Sequence, residues 1–220
     1  MKIRIRAIPR AETPARTIPA WTPSIKIHAR PRRVLDFDIE NRPLSYLGSD
    51  FTTAEVTAIA WAWTDSPDVS VYLLGEHALE DILSLFVDAY RQADLVTGHY
   101  IRGHDLPMVN GALMECRMAP LPDVMVQDTK IDLIRSKGLS LSQESLGAMF
   151  RLEHAKVQMN QAKWRAANRL TPEGLAEVRQ RVIGDVRQHI ALRAELLSLG
   201  YLVPARIWKS GAAKAEAYTP

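Results

Sequence analysis

The chain has 220 residues, 47% of them hydrophobic and 24% charged, with a formal net charge of +3; these are ordinary values for a folded protein with one sizeable core. A single cysteine, Cys116, excludes an intrachain disulfide and a cysteine-cluster zinc site and points to an intracellular, cytoplasmic setting. No apolar run approaches the roughly 18 residues of a membrane span, and no signal-peptide core is present.

Residues 1 to 33 hold nine Lys or Arg against one acid, Glu12, and carry prolines at 9, 14, 19, 23 and 31. That proline spacing prevents long helices and favours an extended arm, with edge strands such as Lys2 to Ile8. The rest of the chain holds 19 basic and 24 acidic residues, a net of −5. Basic charge is therefore concentrated in the arm, where it suits a phosphate backbone; a solvated extension and a targeting peptide are the alternatives.

Val34 to Glu40 alternates. Leu35, Phe37 and Ile39 fall on one face of a strand, and Asp36, Asp38 and Glu40 on the other. Three carboxylates in a row beside a core are costly unless a cation sits among them, and hard divalent ions such as Mg²⁺ and Mn²⁺ take oxygen ligands. Glu55 to Thr64 and Val69 to Leu74 read as two more strands of a meander, separated by the turn Asp65-Ser66-Pro67-Asp68.

The period then becomes helical. Leu79, Ile82, Leu83, Phe86, Val87 and Tyr90 define an amphipathic helix from Glu76 to Gln92. A short strand, Leu95 to Gly98, precedes a helix from Leu106 to Arg117 with Pro107 in its first turn. Val124 to Asp128 is a fifth strand, and Leu141 to Leu152 a helix capped by Ser140 or Ser142. Residues 153 to 170 have no clear period. Thr171-Pro172-Glu173 opens a final helix that runs to about Leu199 and stops at Gly200. The expected domains are an arm (1–32), a core (33–200) and a partly disordered tail (201–220). Strands in a meander followed by alternating helix and strand give an α/β fold with a mixed five-stranded sheet flanked by helices, the order of the ribonuclease H-like fold.

The final helix repeats the anomaly of the first strand. Its stripe of Leu175, Val178, Val182, Leu192, Leu196 and Leu199 is interrupted by Asp185 and His189, which sit one turn apart on the core side. A buried Asp–His pair bonded to backbone is the alternative to chemistry there. A third cluster, Gly98-His99-Tyr100-Ile101-Arg102-Gly103-His104-Asp105-Leu106-Pro107, joins a strand end to a helix start. Asp105 alone could be a helix cap.

Together these clusters resemble the DEDD 3′–5′ exonucleases. Phe37-Asp38-Ile39-Glu40 is similar to the first motif of that family, Gly98 to Pro107 to the second, and Ile183-Gly184-Asp185-Val186 to the third. The resemblance covers residues 33 to 200 and is nearest the proofreading-type exonuclease domains of family B DNA polymerases and their stand-alone bacterial and phage relatives. It implies that Asp38, Glu40, Asp105 and Asp185 hold two divalent ions, Mg²⁺ or Mn²⁺, and release nucleoside 5′-monophosphates by a two-metal mechanism. Beside the first motif Asp36 reads as a supporting carboxylate, and Asp128 reads as a strand-end support. Tyr100 could stack on a base, Arg102 could contact the substrate backbone, and His104 could contact a phosphate or cap the helix. Lys156, Lys163 and Trp164 stand where relatives carry a Lys and an aromatic; a solvated loop with a packed Trp is the other reading.

The third motif departs from the family. The activating Tyr or His normally lies four or five residues before the Asp, where this chain has Arg181 and Gln180. Arg stays protonated and Gln does not titrate, so neither is a general base. His189 or His154 could take the role, an ion could suffice, or the protein could bind nucleic acid and cut it poorly. A structure-specific endonuclease or resolvase shares the same acidic site and stays open. DNA is favoured over RNA as substrate. Replication or repair proteins and a second copy of the chain are the possible partners, and a phage-encoded member would act in its host's cytoplasm.

Overall fold

The computed structural model describes residues 32–44, 51–154 and 157–211. The basic arm, Lys156 and the end of the tail lie outside the described residues. Strand β1 (Val34–Pro43) pairs antiparallel with β2 (Ala54–Trp63), and β2 with β3 (Ser70–Leu73). Helix α1 (Leu79–Arg91) leads into β4 (Leu95–Gly98), parallel to β1. Helix α2 (Asp105–Glu115) leads into β5 (Val124–Asp128), parallel to β4. Helices α3 (Gln143–Met149), α4 (Gln161–Asn168) and α5 (Pro172–Ser198) follow, and β6 (Arg206–Trp208) pairs antiparallel with β5. The sheet order is β3-β2-β1-β4-β5-β6.

This is the mixed α/β architecture expected, with a sixth strand at the edge. Strand β6 has three residues, too few for alternation to be read in sequence. The ambiguous stretch before Thr171 contains α4, whose cap is Asn160 accepting from the Lys163 amide. Helix α3 is shorter than its hydrophobic pattern suggested and is capped by Ser142. Thr171 caps α5, with Pro172 in the first turn. Gly174 is required there: a Cβ would lie 2.3 Å from the Ala166 carbonyl carbon, because α4 runs into α5.

The two faces of the sheet have different chemistry. Leu35, Phe37 and Ile39 of β1 join Ile59 and Trp61 of β2 and the buried sides of α1 and α2 in the main core. Phe37 and Phe86 approach to 4.9 Å between ring centroids. Burying each such side chain stabilises the fold by about 1.5–3 kcal/mol. On the opposite face β2 presents alanines. Ala58 packs with Leu175 and Val178, and Ala60 and Ala62 pack with Val182 and Val186. These small residues let α5 lie close over the sheet, directly across the polar face of β1.

Carboxylates hold the loop between β4 and α2. Buried Asp128, at the end of β5, accepts the amides of Tyr100 (3.0 Å), Lys130 (2.9 Å), Ile131 (3.0 Å) and Arg102 (3.0 Å). It supports the strand end, as expected. Asp132 accepts the Asp128 amide at 2.9 Å and pairs with Arg102 and Arg206 at 2.8 and 2.6 Å. Gly98 permits the tight exit from β4, because a Cβ would meet Ile101 Cγ2 at 2.2 Å and the Phe37 carbonyl oxygen at 2.8 Å. Tyr100 is held with φ at 70°, a region rarely adopted by non-glycine residues. Replacing Asp128 with Ala leaves buried amides without an acceptor and is expected to cost roughly 3 kcal/mol or more. Urea unfolding measures this, and a loss under about 1 kcal/mol would show that the loop holds itself.

Candidate functional site

Strand β1 and helix α5 run antiparallel, and their polar residues meet in pairs. Two residues along a strand advance about 6.6 Å and four along a helix about 6.0 Å, so residues 36, 38 and 40 stay in step with 189, 185 and 181. At one end His189 Nδ1 lies 2.9 Å from Asp36 Oδ1. At the other, Arg181 Nε lies 2.5 Å from Glu40 Oε1. Between them Asp38 faces Asp185. Carboxylate oxygens of Asp38, Glu40 and Asp185 all lie within 4.8 Å of one another. Such a group fits one hard divalent cation in the chemistry of its donors.

The structure thus brings together three of the four carboxylates singled out by sequence. Asp105 stands beside them at the first residue of α2, with Oδ1 accepting the amide of Ile39 at 3.3 Å, between Asp38 and Glu40 in the strand. Burial pushes its carboxyl up to about 7, with the charges of Asp128 and Glu40 adding to the rise and the amides of Asp105 and Ile39 opposing it. A group so placed favours a nearby cation. The β1–β2 register shifts between Glu40 and Asn41, which pair with Ala58 and Val56, so that Thr57 of β2 is the extra residue. The Asn41 side chain meets His104 Nε2 at 3.1 Å; sequence reading missed Asn41 because a bulge leaves no periodic trace.

Arg181 contacts this group. Besides Glu40, its Nε lies 3.8 Å from Asp185 Oδ2. Its Nη1 donates to the Val157 carbonyl at 2.9 Å. The guanidinium carbon lies 5.2 Å from the centre of the Trp164 ring. Residue 181 is therefore a permanent cation bound to two of the candidate ligands.

Several expected roles are corrected by the contacts. His189 is not in the carboxylate group: it is 2% exposed and partners Asp36, whose other oxygen accepts the Thr64 hydroxyl. Arg102 bonds Asp132 and donates to the Val126 carbonyl at 2.6 Å, so its guanidinium braces β5 where a phosphate contact was expected. Lys163 pairs with Glu177 at 2.8 Å. The Tyr100 ring is partly exposed but is covered by Lys130, whose Nζ lies 4.0 Å from its centre. His154 is exposed in the loop after α3, and its carbonyl accepts from Gln188 at 2.7 Å. The two-ion expectation meets one group of three clustered carboxylates among the described residues.

No family model and no curated protein matches the chain. In fold the chain is similar to the family B DNA polymerase from the hyperthermophilic archaeon Pyrobaculum calidifontis. The TM-score is 0.58 at 18% identity, over 76% of this chain and 25% of that one. The chain spans a quarter of that polymerase, and the likeness is one of fold, compatible with the ribonuclease H-like order read from the sequence. Among the described residues no helix is long and apolar enough to cross a membrane.

His99, from the third sequence cluster, belongs to a buried polar group with Thr129. His99 Nδ1 meets Thr129 Oγ1 at 3.0 Å. Among the described residues, His189 Nε2 and Thr97 Oγ1 are buried without hydrogen-bond partners. Burial, with His189 and Lys130 nearby and Asp128 opposing, pushes His99 down to about 4. Its unfolded value is about 6.5, so between pH 6.5 and 4 the unfolded chain binds the extra proton and the folded chain does not. Stability is therefore lost as pH falls through that window, by about 2–3 kcal/mol near pH 4.5. Urea unfolding of wild type and His99→Gln at pH 7 and 4.5 should show the variant losing less; equal losses would refute the assignment.

Proposed function

We propose that the chain is a metal-dependent nuclease that hydrolyses phosphodiester bonds from the 3′ end of single-stranded or frayed nucleic acid, DNA rather than RNA, and releases nucleoside 5′-monophosphates. The observation that carries this reading is the mutual approach of Asp38, Glu40 and Asp185 within 4.8 Å. Asp38 and Asp185 face each other from strand and helix, and like charges held this way call for a cation. The fold shared with a family B DNA polymerase supports a nucleic acid, and DNA in particular, as the substrate. The setting proposed for this activity is intracellular and cytoplasmic.

In this reading Asp38, Glu40 and Asp185 hold Mg²⁺ or Mn²⁺, and Asp105 stands beside them at the Ile39 amide. The cation supplies Lewis acidity at the phosphodiester. Asp36 and His189 fix one end of the strand–helix contact and keep Asp38 and Asp185 in register. The Trp164 ring of α4 lies against Arg181, and the exposed His104 precedes α2. Neither Arg181 nor His189 is placed to act as a base, since a guanidinium is a permanent cation and His189 is turned to Asp36.

A second reading, nucleic-acid binding with little cleavage, is favoured by one observation: Arg181 already neutralises part of the group. A 3′- or 5′-labelled oligonucleotide incubated with Mg²⁺ or Mn²⁺, with EDTA as control, separates the two. The proposed activity requires stepwise shortening from the 3′ end that falls by at least about a hundredfold in Asp38→Ala. Tight binding with no shortening in either metal would support the second reading. The basic arm is proposed to contact the phosphate backbone, so deleting residues 1–30 should weaken binding and flatten its salt dependence; an unchanged slope would remove the arm from the interface.

A further inference from the structure

We propose that Arg181 takes the place of one of the two ions, so that this centre holds a single divalent cation with a guanidinium beside it. The proposal rests on the metal-dependent reading above and concerns what shares the site with the metal. Four observations carry it. Arg181 Nε is 2.5 Å from Glu40 and 3.8 Å from Asp185. Those two carboxylates belong, with Asp38, to the one three-residue group among the described residues that could hold an ion. Asp105, the fourth acid, is outside that group and bonded to the Ile39 amide. The guanidinium is also held from behind by the Val157 carbonyl and the face of Trp164.

The last point decides between a displaceable plug and a resident cation. A side chain held only by the ligand carboxylates would be expelled when a divalent ion took them. Arg181 keeps two anchors that no metal competes for, and it stays protonated at any working pH. Its position therefore remains cationic whether or not an ion binds Asp38. With a fixed positive charge at Glu40 and Asp185, a second divalent ion meets repulsion where it would need attraction. A guanidinium also has N–H donors suited to phosphate oxygens, so it can neutralise a substrate phosphodiester on the side where the second ion would stand.

The test counts ions and needs no turnover. Mn²⁺ is titrated into the full-length chain and followed by the loss of the free-ion electron paramagnetic resonance signal and by calorimetry, for wild type, Arg181→Gln, Arg181→Lys and Asp38→Ala. The expected result is one Mn²⁺ per wild-type chain. Arg181→Gln should bind a second ion, or bind the first at least about tenfold more tightly. Arg181→Lys keeps the charge and should stay at one. Thermal unfolding checks that each variant is folded. Two ions on wild type, or the same count and affinity in Arg181→Gln, would overturn the proposal while leaving the metal centre intact. No binding by wild type or by Arg181→Gln would overturn it together with the metal-dependent reading.

Discussion

The contact between β1 and α5 is the constraint on which the rest depends. A strand and a helix advance by nearly the same distance over two and four residues, so an antiparallel pair can keep three polar residues opposite three others. Here those pairs are Asp36 with His189, Asp38 with Asp185, and Glu40 with Arg181. The outer two are complementary and the middle one is not. Complementary ends fix the register, and the fixed register forces two carboxylates together at the centre. The alanines of β2 make the approach possible, since larger side chains at 58, 60 and 62 would lift the helix away from the sheet.

The charges in this region follow a consistent order. Carboxylates that bond buried amides and arginines, Asp128 and Asp132, are structural and hold the loop that carries Asp105. The carboxylates that gather with one another, Asp38, Glu40 and Asp185, are of a different kind. Among the described residues Arg181 stands beside two of them, Glu40 and Asp185. The mutual approach of the three carboxylates supports a divalent ion in the group. The presence of the arginine in the same group argues against a full pair of ions. Both inferences come from one set of distances.

Much of the fold was legible in sequence because its elements are strongly periodic. Strands β4 and β5 have the ends read from their apolar runs, and α5 starts at the Thr171 cap and stops before Gly200. The short elements were not legible. Strand β6 has no room for a pattern, and α4 is short, with Ala167 its one buried residue, so neither leaves a hydrophobic period. Arg102 and His189 were misassigned for a common reason. Each carries a group suited to substrate chemistry, and each is claimed by a carboxylate from another part of the chain: Asp132 for Arg102 and Asp36 for His189.

The sequence by itself determined the faces. Alternation put Asp36, Asp38 and Glu40 on one side of a strand, and the helical period put Asp185 and His189 on the core side of a helix. Only the tertiary structure decided which of these meet. It separated Asp36 from Asp38 by giving the first a histidine, left Asp105 beside the group at a backbone amide, and brought Arg181 into the position where sequence showed only a missing base. The physical reason is that periodicity is a property of one element, whereas electrostatic pairing depends on the offset and distance between two. Local sequence encodes the first, and the packing of the whole chain sets the second.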